Sequence, residues 1–158
     1  MEHVLIRSLE HLARAGDHPA LGFAVETRDR PGPAYKLGCG PEDEVWVQLR
    51  GGVFVARARV VLGWVGEYSM IEEVRRRTAG SPLHDLEDFW TGRPRYGYAA
   101  VASLTGERWI DPFWGGPRSY GYEWVVLESE KKHASWLDPR EPPGGGAAIE
   151  RGFRAWRE

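Results

Sequence analysis

Tryptophan, tyrosine and arginine carry most of the chemistry available to this sequence. Its 158 residues include eight Trp and six Tyr, and its 21 basic residues are 18 Arg and only three Lys (Lys36, Lys131, Lys132). A flat ring can stack on a nucleobase, worth ~1–3 kcal/mol per base. A guanidinium forks onto phosphate or carboxylate. Eight side chains are candidates for that chemistry: Trp46, Arg57 and Arg59, then Trp64 and Tyr68, then Arg95, Trp114 and Arg118 from two Gly- and Pro-bearing loops. Each also has a structural role open to it. Trp46 over Arg57 can be a surface cross-strand pair, Arg59 can neutralise Glu44, and Trp114 can plug the end of a barrel.

Composition narrows the classes. The net charge of −2 argues against coating duplex nucleic acid by charge alone, which needs many phosphate contacts. It leaves room for a local basic face. Cys39 is the lone cysteine and the five His are scattered, so neither a disulfide framework nor a paired metal site is expected. No P-loop, dinucleotide Gly-rich loop or Ser-His-Asp signature is present, and no cofactor is expected. There is no apolar run of signal or membrane-span length, which makes the expected location cytoplasmic.

The elements that must position these groups follow from periodicity. Leu5, Leu9 and Leu12, with Gly16 beyond, predict a helix over 4–15. Residues 21–28 alternate as a strand. Gly51-Gly52 sits between two alternating runs and predicts a hairpin over 44–62. With a two-residue turn, Leu49 faces Phe54, Val47 faces Ala56 and Val45 faces Ala58 on the core side. Gln48 then meets Val55, Trp46 meets Arg57 and Glu44 meets Arg59 on the other. Gly63 and Gly66 suit a bend or bulge. Ser69 with Glu72 has capping-box spacing for a helix that Gly80 ends, and Arg75-Arg76-Arg77 occupies most of one of its turns. Ser81-Pro82 predicts a second short helix with Leu83, Leu86 and Trp90 inward.

A doubled stretch follows. Phe89-Trp90 leads through Pro94-Arg95 into Tyr96-Gly97-Tyr98, and Phe113-Trp114 leads through Pro117-Arg118 into Tyr120-Gly121-Tyr122. Two copies are too few for a solenoid, so they predict two strands of one sheet, with a turn at Thr105-Gly106 and an aromatic loop over 109–116. Residues 1–137 are expected as one barrel domain, and 138–158 as a Pro/Gly linker with an amphipathic end. There Ile149, Phe153 and Trp156 form a face for this domain or for a protein partner. The fold class expected is mixed α/β, mainly β: a small pseudo-barrel of five to six strands with short inserted helices.

This order resembles the PUA-like superfamily, and within it the ASCH and EVE-type domains. Val25-Glu26-Thr27-Arg28 resembles the Val-Glu-x-Arg end of the ASCH signature, Gly-x-Lys-x-x-Glu-x-Arg. Residues 40–47 resemble its Gly-Asp-x-Val strand start, and 54–65 its following strand. The resemblance implies a module binding RNA or a modified nucleotide through stacking rings and Arg forks. It departs at the signature lysine: Gly22 is followed by Phe23 and Ala24. Relatives that act as amidohydrolases depend on that lysine, so catalysis is disfavoured. Glu26, Arg28 and the nearby Lys36 are the catalytic candidates, and Glu26 with Arg28 can equally be an ion-paired strand end. A partner-binding scaffold is the third possibility.

Overall fold

The computed structural model describes residues 1–116, 123–144 and 146–157. Six strands form one sheet: β1 (Glu2–Arg7), β2 (Phe23–Arg28), β3 (Glu44–Leu49), β4 (Val53–Tyr68), β5 (Gly97–Trp114) and β6 (Trp124–Leu127), in the order β2-β5-β4-β3-β1-β6. Neighbours pair antiparallel except β1 with β3, which run parallel. The sheet curls into a half-barrel with short helices against it. These are α1 (Leu9–Leu12), α2 (Pro33–Leu37), α3 (Ile71–Arg76), α4 (Glu87–Trp90), α5 (Glu130–Leu137) and α6 (Gly146–Arg157). The edges β2 and β6 come into contact, and α2 packs on β5 and β6.

The start of the chain departs from its predicted helix. Val4, Leu5 and Ile6 form a strand because both of its faces are covered, which turns an apolar run into a buried strand. Leu5 joins the main core, while Val4 and Ile6 pack with Val125, Leu127, Trp136 and Leu137. A helix begins only at Leu9, where the Ser8 hydroxyl accepts the His11 N–H. Period 2 places His3, Leu5 and Arg7 in one row, all nearly inaccessible to solvent.

The hairpin forms with the predicted register for its first four pairs, Glu44–Arg59 to Val47–Ala56. A bulge between Val47 and Gln48 then changes it, so Gln48 meets Phe54 rather than Val55. Phe54 consequently leaves the main core for the Trp46 and Phe113 cluster, and Val55 takes a core position. The Gln48 amide donates to the carbonyls of Gly52 and Gly115, each at 3.1 Å. Those bonds satisfy a buried side chain that the simple hairpin left facing out.

No turn occurs at Thr105-Gly106. β5 runs through it to Trp114 beside the full length of β4, and their register shifts at three places. Gly106 (φ +62°) sits at one shift, where Arg57 pairs with Arg108 but Arg59 with Thr105. A positive φ here builds a bulge that bends the ribbon rather than reversing it. The span expected as an aromatic loop is therefore mostly strand. Phe89-Trp90 lies in α4 whereas Phe113-Trp114 ends β5; the rest of the second copy, 117–122, lies outside the described residues. β5 and β6 are separated by three strands.

Two smaller readings also change. Met70 rather than Ser69 occupies the N-cap position of α3, with no side-chain cap bond, and the Ser69 hydroxyl donates to Glu73 at 2.8 Å. Ser81 to Asp85 are turns, with α4 starting at Glu87, although Leu83, Leu86 and Trp90 are buried as expected. The final segment is part of the barrel. Phe153 of α6 is fully buried in the main core, 5.6 Å from the Trp109 ring, so its side chain is not available to a partner.

Candidate anion-binding cleft

The barrel seam is closed by two arginines. Arg93 reaches from the loop after α4 to both edges. Its Nη1 donates to Thr27 Oγ1 of β2 at 3.1 Å and to both carboxylate oxygens of Glu123, just before β6, at 2.9 and 3.0 Å. Its Nε donates to the Phe89 carbonyl, and the guanidinium lies 3.7 Å from the Phe89 ring centre. Arg7, at the end of β1, donates from Nη2 to the Phe23 carbonyl of β2 at 2.9 Å.

Between them opens a cleft of about 310 Å³. Arg7, Arg50 and Arg93 line it with Glu123, the Ser8, Thr27 and Thr91 hydroxyls, and an apolar wall that includes Phe89. Arg7 is 2% exposed, its Nε has no hydrogen-bond partner, and no carboxylate lies within ion-pair distance among the described residues. Burial pushes its guanidinium pKa down to about 10, the Arg93 charge adds to that, and Glu123 and Glu107 oppose it. It remains a cation at neutral pH. A buried charge without a counter-ion is costly, and such a group in a cleft marks a candidate functional site.

A larger hollow, about 600 Å³, has the wrong sign for phosphate. Tyr68, Tyr96 and Tyr98 line it with Asp29, Glu67 and Glu73, and no cation.

The seven described residues of the eight expected to bind do not line one cleft. Trp46 and Arg57 are brought together, with the guanidinium 4.0 Å from the indole, and Arg57 pairs with Glu44 at 3.0 Å. Phe54 and Phe113 meet the Trp46 ring edge-on. Glu44 being taken, Arg59 pairs with Glu42 at 3.3 Å. Trp64 lies in another cluster, under Arg77 of the Arg run at 3.6 Å. Tyr68 is buried and donates to the Pro94 carbonyl at 2.7 Å; Trp114 is buried and donates to Glu150 at 2.9 Å. Arg95 is exposed. Arg118 and the Trp156 side chain lie outside what the structure describes.

Glu26 is 4% exposed, beside Gly32, where a Cβ would come 2.5 Å from its Oε1. Burial raises its carboxyl to about 7, with Glu123 in support and Arg28 opposing. Arg28 is half-buried and makes no ion pair with it within 4 Å. Lys36 is exposed in the last turn of α2, so no buried amine accompanies Glu26 there. Among the described residues no cluster of His, Cys, Asp and Glu could hold a metal ion, and no helix is long and apolar enough to cross a membrane.

Comparison of the chain with protein-family models, curated proteins and solved structures gave no match. The cleft must be read from its own chemistry.

Sequence reasoning missed Arg7, Arg93 and Glu123. Arg7 was hidden inside a predicted helix. One signal was present: an arginine ending the apolar run Val4-Leu5-Ile6 carries its charge into the core if that run is a strand, and only a helical reading brings it to Glu10.

Proposed function

We propose that the protein is a binding module for a phosphate-bearing nucleotide ligand, as RNA or as a free modified nucleotide. Arg7 carries the reading: a buried guanidinium, uncompensated by any ion pair, facing a cleft that contains two further arginines. Guanidiniums match phosphate geometry, the hydroxyls of Ser8, Thr27 and Thr91 suit a sugar, and Phe89 supplies an apolar wall. The sequence order resembling PUA-like domains supports nucleotides over other phosphorylated ligands. The test is calorimetric titration with single-stranded RNA and with nucleoside monophosphates at two salt concentrations. Saturable binding, weakened by salt and lost in a folded Arg7→Gln variant, is the expected result. If no nucleotide of either kind binds, the reading fails.

A hydrolytic reading is favoured by one observation, the buried Glu26 with its raised pKa. It requires turnover of a modified nucleoside such as an N4-acylated cytidine, abolished by Glu26→Gln. Its position away from the cleft lining and the exposed Lys36 place it second.

A further inference from the structure

The cleft lining is unbalanced in charge. Arg7, Arg50 and Arg93 line the cleft with Glu123 as the one carboxylate of the lining, paired with Arg93, which leaves two positive charges. His11, also in the lining, adds none at neutral pH. Burial holds its imidazole below 6.5, and its Nε2 lies 3.4 Å from Asp88, itself paired with Arg14. Glu107, whose field reaches Arg7, is engaged elsewhere: it accepts the N–H groups of Ala20 and Gly22 and pairs with His18.

We infer that the cleft takes a phosphate monoester, a terminal dianionic phosphate, in preference to the singly charged phosphodiester of a strand interior. This rests on the nucleotide reading above. A monoester carries about −1.5 to −2 charges at pH 7 and three acceptor oxygens. It can therefore meet Arg7 and Arg50 together while Glu123 stays on Arg93. A diester brings one charge, which the buried Arg7 takes, and leaves Arg50 at the exposed rim without a partner, so only the second charge of a monoester gains the Arg50 contact. Volume agrees: about 310 Å³ lies at the small end of ligand pockets, ~300–1,000 Å³, room for one nucleotide. The same chemistry occurs on a free nucleoside 5′-monophosphate and on the 5′-phosphorylated end of an RNA.

Calorimetry on the full chain at pH 7.5 tests this with four nucleoside 5′-monophosphates, their 3′,5′-cyclic diesters, and one short oligoribonucleotide bearing either a 5′-phosphate or a 5′-hydroxyl. The monoester is expected to bind at least about tenfold more tightly than the cyclic diester. Arg50→Ala, an exposed rim substitution that leaves the core untouched, should remove most of that difference. Equal affinity for monoester and diester overturns the inference and leaves the anion-binding reading standing; binding of neither overturns both. Preference for the 5′-phosphorylated oligonucleotide over its 5′-hydroxyl twin supports a strand end as the source. Binding of monophosphates but of neither oligonucleotide supports the free nucleotide.

Discussion

The indole N–H of Trp124 donates to Nδ1 of His3 across 3.0 Å, 121 residues apart in the chain. That bond fixes the tautomer of a fully buried imidazole: Nδ1 accepts, so Nε2 carries the proton and donates to Asp43 at 2.9 Å. Asp43 also takes the Gly40 N–H and the Met1 amine, each at 3.1 Å.

Acid should loosen the protein through this arrangement. Protonating His3 would place a second N–H against that of Trp124. Burial, the largest cause, holds its pKa below the ordinary 6.5, although Asp43 opposes. The unfolded chain therefore takes up a proton that the folded chain refuses. Stability is full above pH 6.5 and falls as pH drops below it towards the folded pKa. His11, also lowered, adds to the same slope, whereas Asp43, held below 3.8, acts only in stronger acid. Glu26, raised to about 7 by burial, works in the opposite direction over the same window, so on a Glu26→Gln background urea midpoints at pH 7.5, 6.5 and 5.5 should decline in that order. His3→Gln should flatten the decline relative to a His11→Asn control; an unchanged slope would refute the assignment.

Arg93 should act as a clasp between the sheet edges. Arg93→Ala removes its bonds to Thr27, Glu123 and the Phe89 carbonyl together. Since this ion pair is only partly exposed, the cost should be about 1–3 kcal/mol. A double-mutant cycle with Glu123→Gln, read by urea denaturation, should give a coupling above ~0.5 kcal/mol. Additive losses would show that the two residues act independently.

The C-terminal helix should be needed for stability rather than being an ornament. Phe153→Ala empties a fully buried ring position, which typically costs ~3–5 kcal/mol. Removing residues 139–158 should cost at least as much, because Trp114 also loses its Glu150 partner. A truncated chain with an unchanged melting temperature would contradict the packing seen for α6.

Gly63 should not tolerate a side chain. A Cβ there would come 2.5 Å from the Cys39 carbonyl oxygen and 2.6 Å from its sulfur. The carbonyl belongs to backbone and cannot swing aside, so Gly63→Ala should cost roughly 1–3 kcal/mol. Gly144→Ala, which meets nothing within 4 Å, serves as the neutral comparison in thermal melts.

The sequence was most legible where its cues were local. Alternation and Gly51-Gly52 specify the hairpin and pair Trp46 with Arg57 correctly, since those cross-strand contacts lie within a few residues of the turn. The bulge at Gln48 was not legible, because it answers to Gly115, just past the end of β5. The first strand was misread for the same kind of reason. Leu5, Leu9 and Leu12 have helical spacing, and only β3 and β6, distant in sequence, make Val4 to Ile6 a buried strand. With that strand misplaced, Arg7 could not be put in the seam, nor Arg93 and Glu123 across it. The cleft was missed with the element that builds it; of the aromatic residues named in its place, Tyr68 and Trp114 are buried, and Trp46 and Trp64 are half-buried beneath arginines.

The sheet order also bears on how the protein is made. β1 leaves the ribosome well before β6, yet it is sandwiched between β3 and β6, and Leu5 pairs with Trp124. At about 5–20 residues per second, some 6 to 24 seconds of translation separate those two partners. Throughout that interval the nascent Val4-Leu5-Ile6 lacks one of its flanking strands. Closure of the barrel thus waits for β6, and slow, topology-limited folding is the kinetic counterpart of such distant pairing.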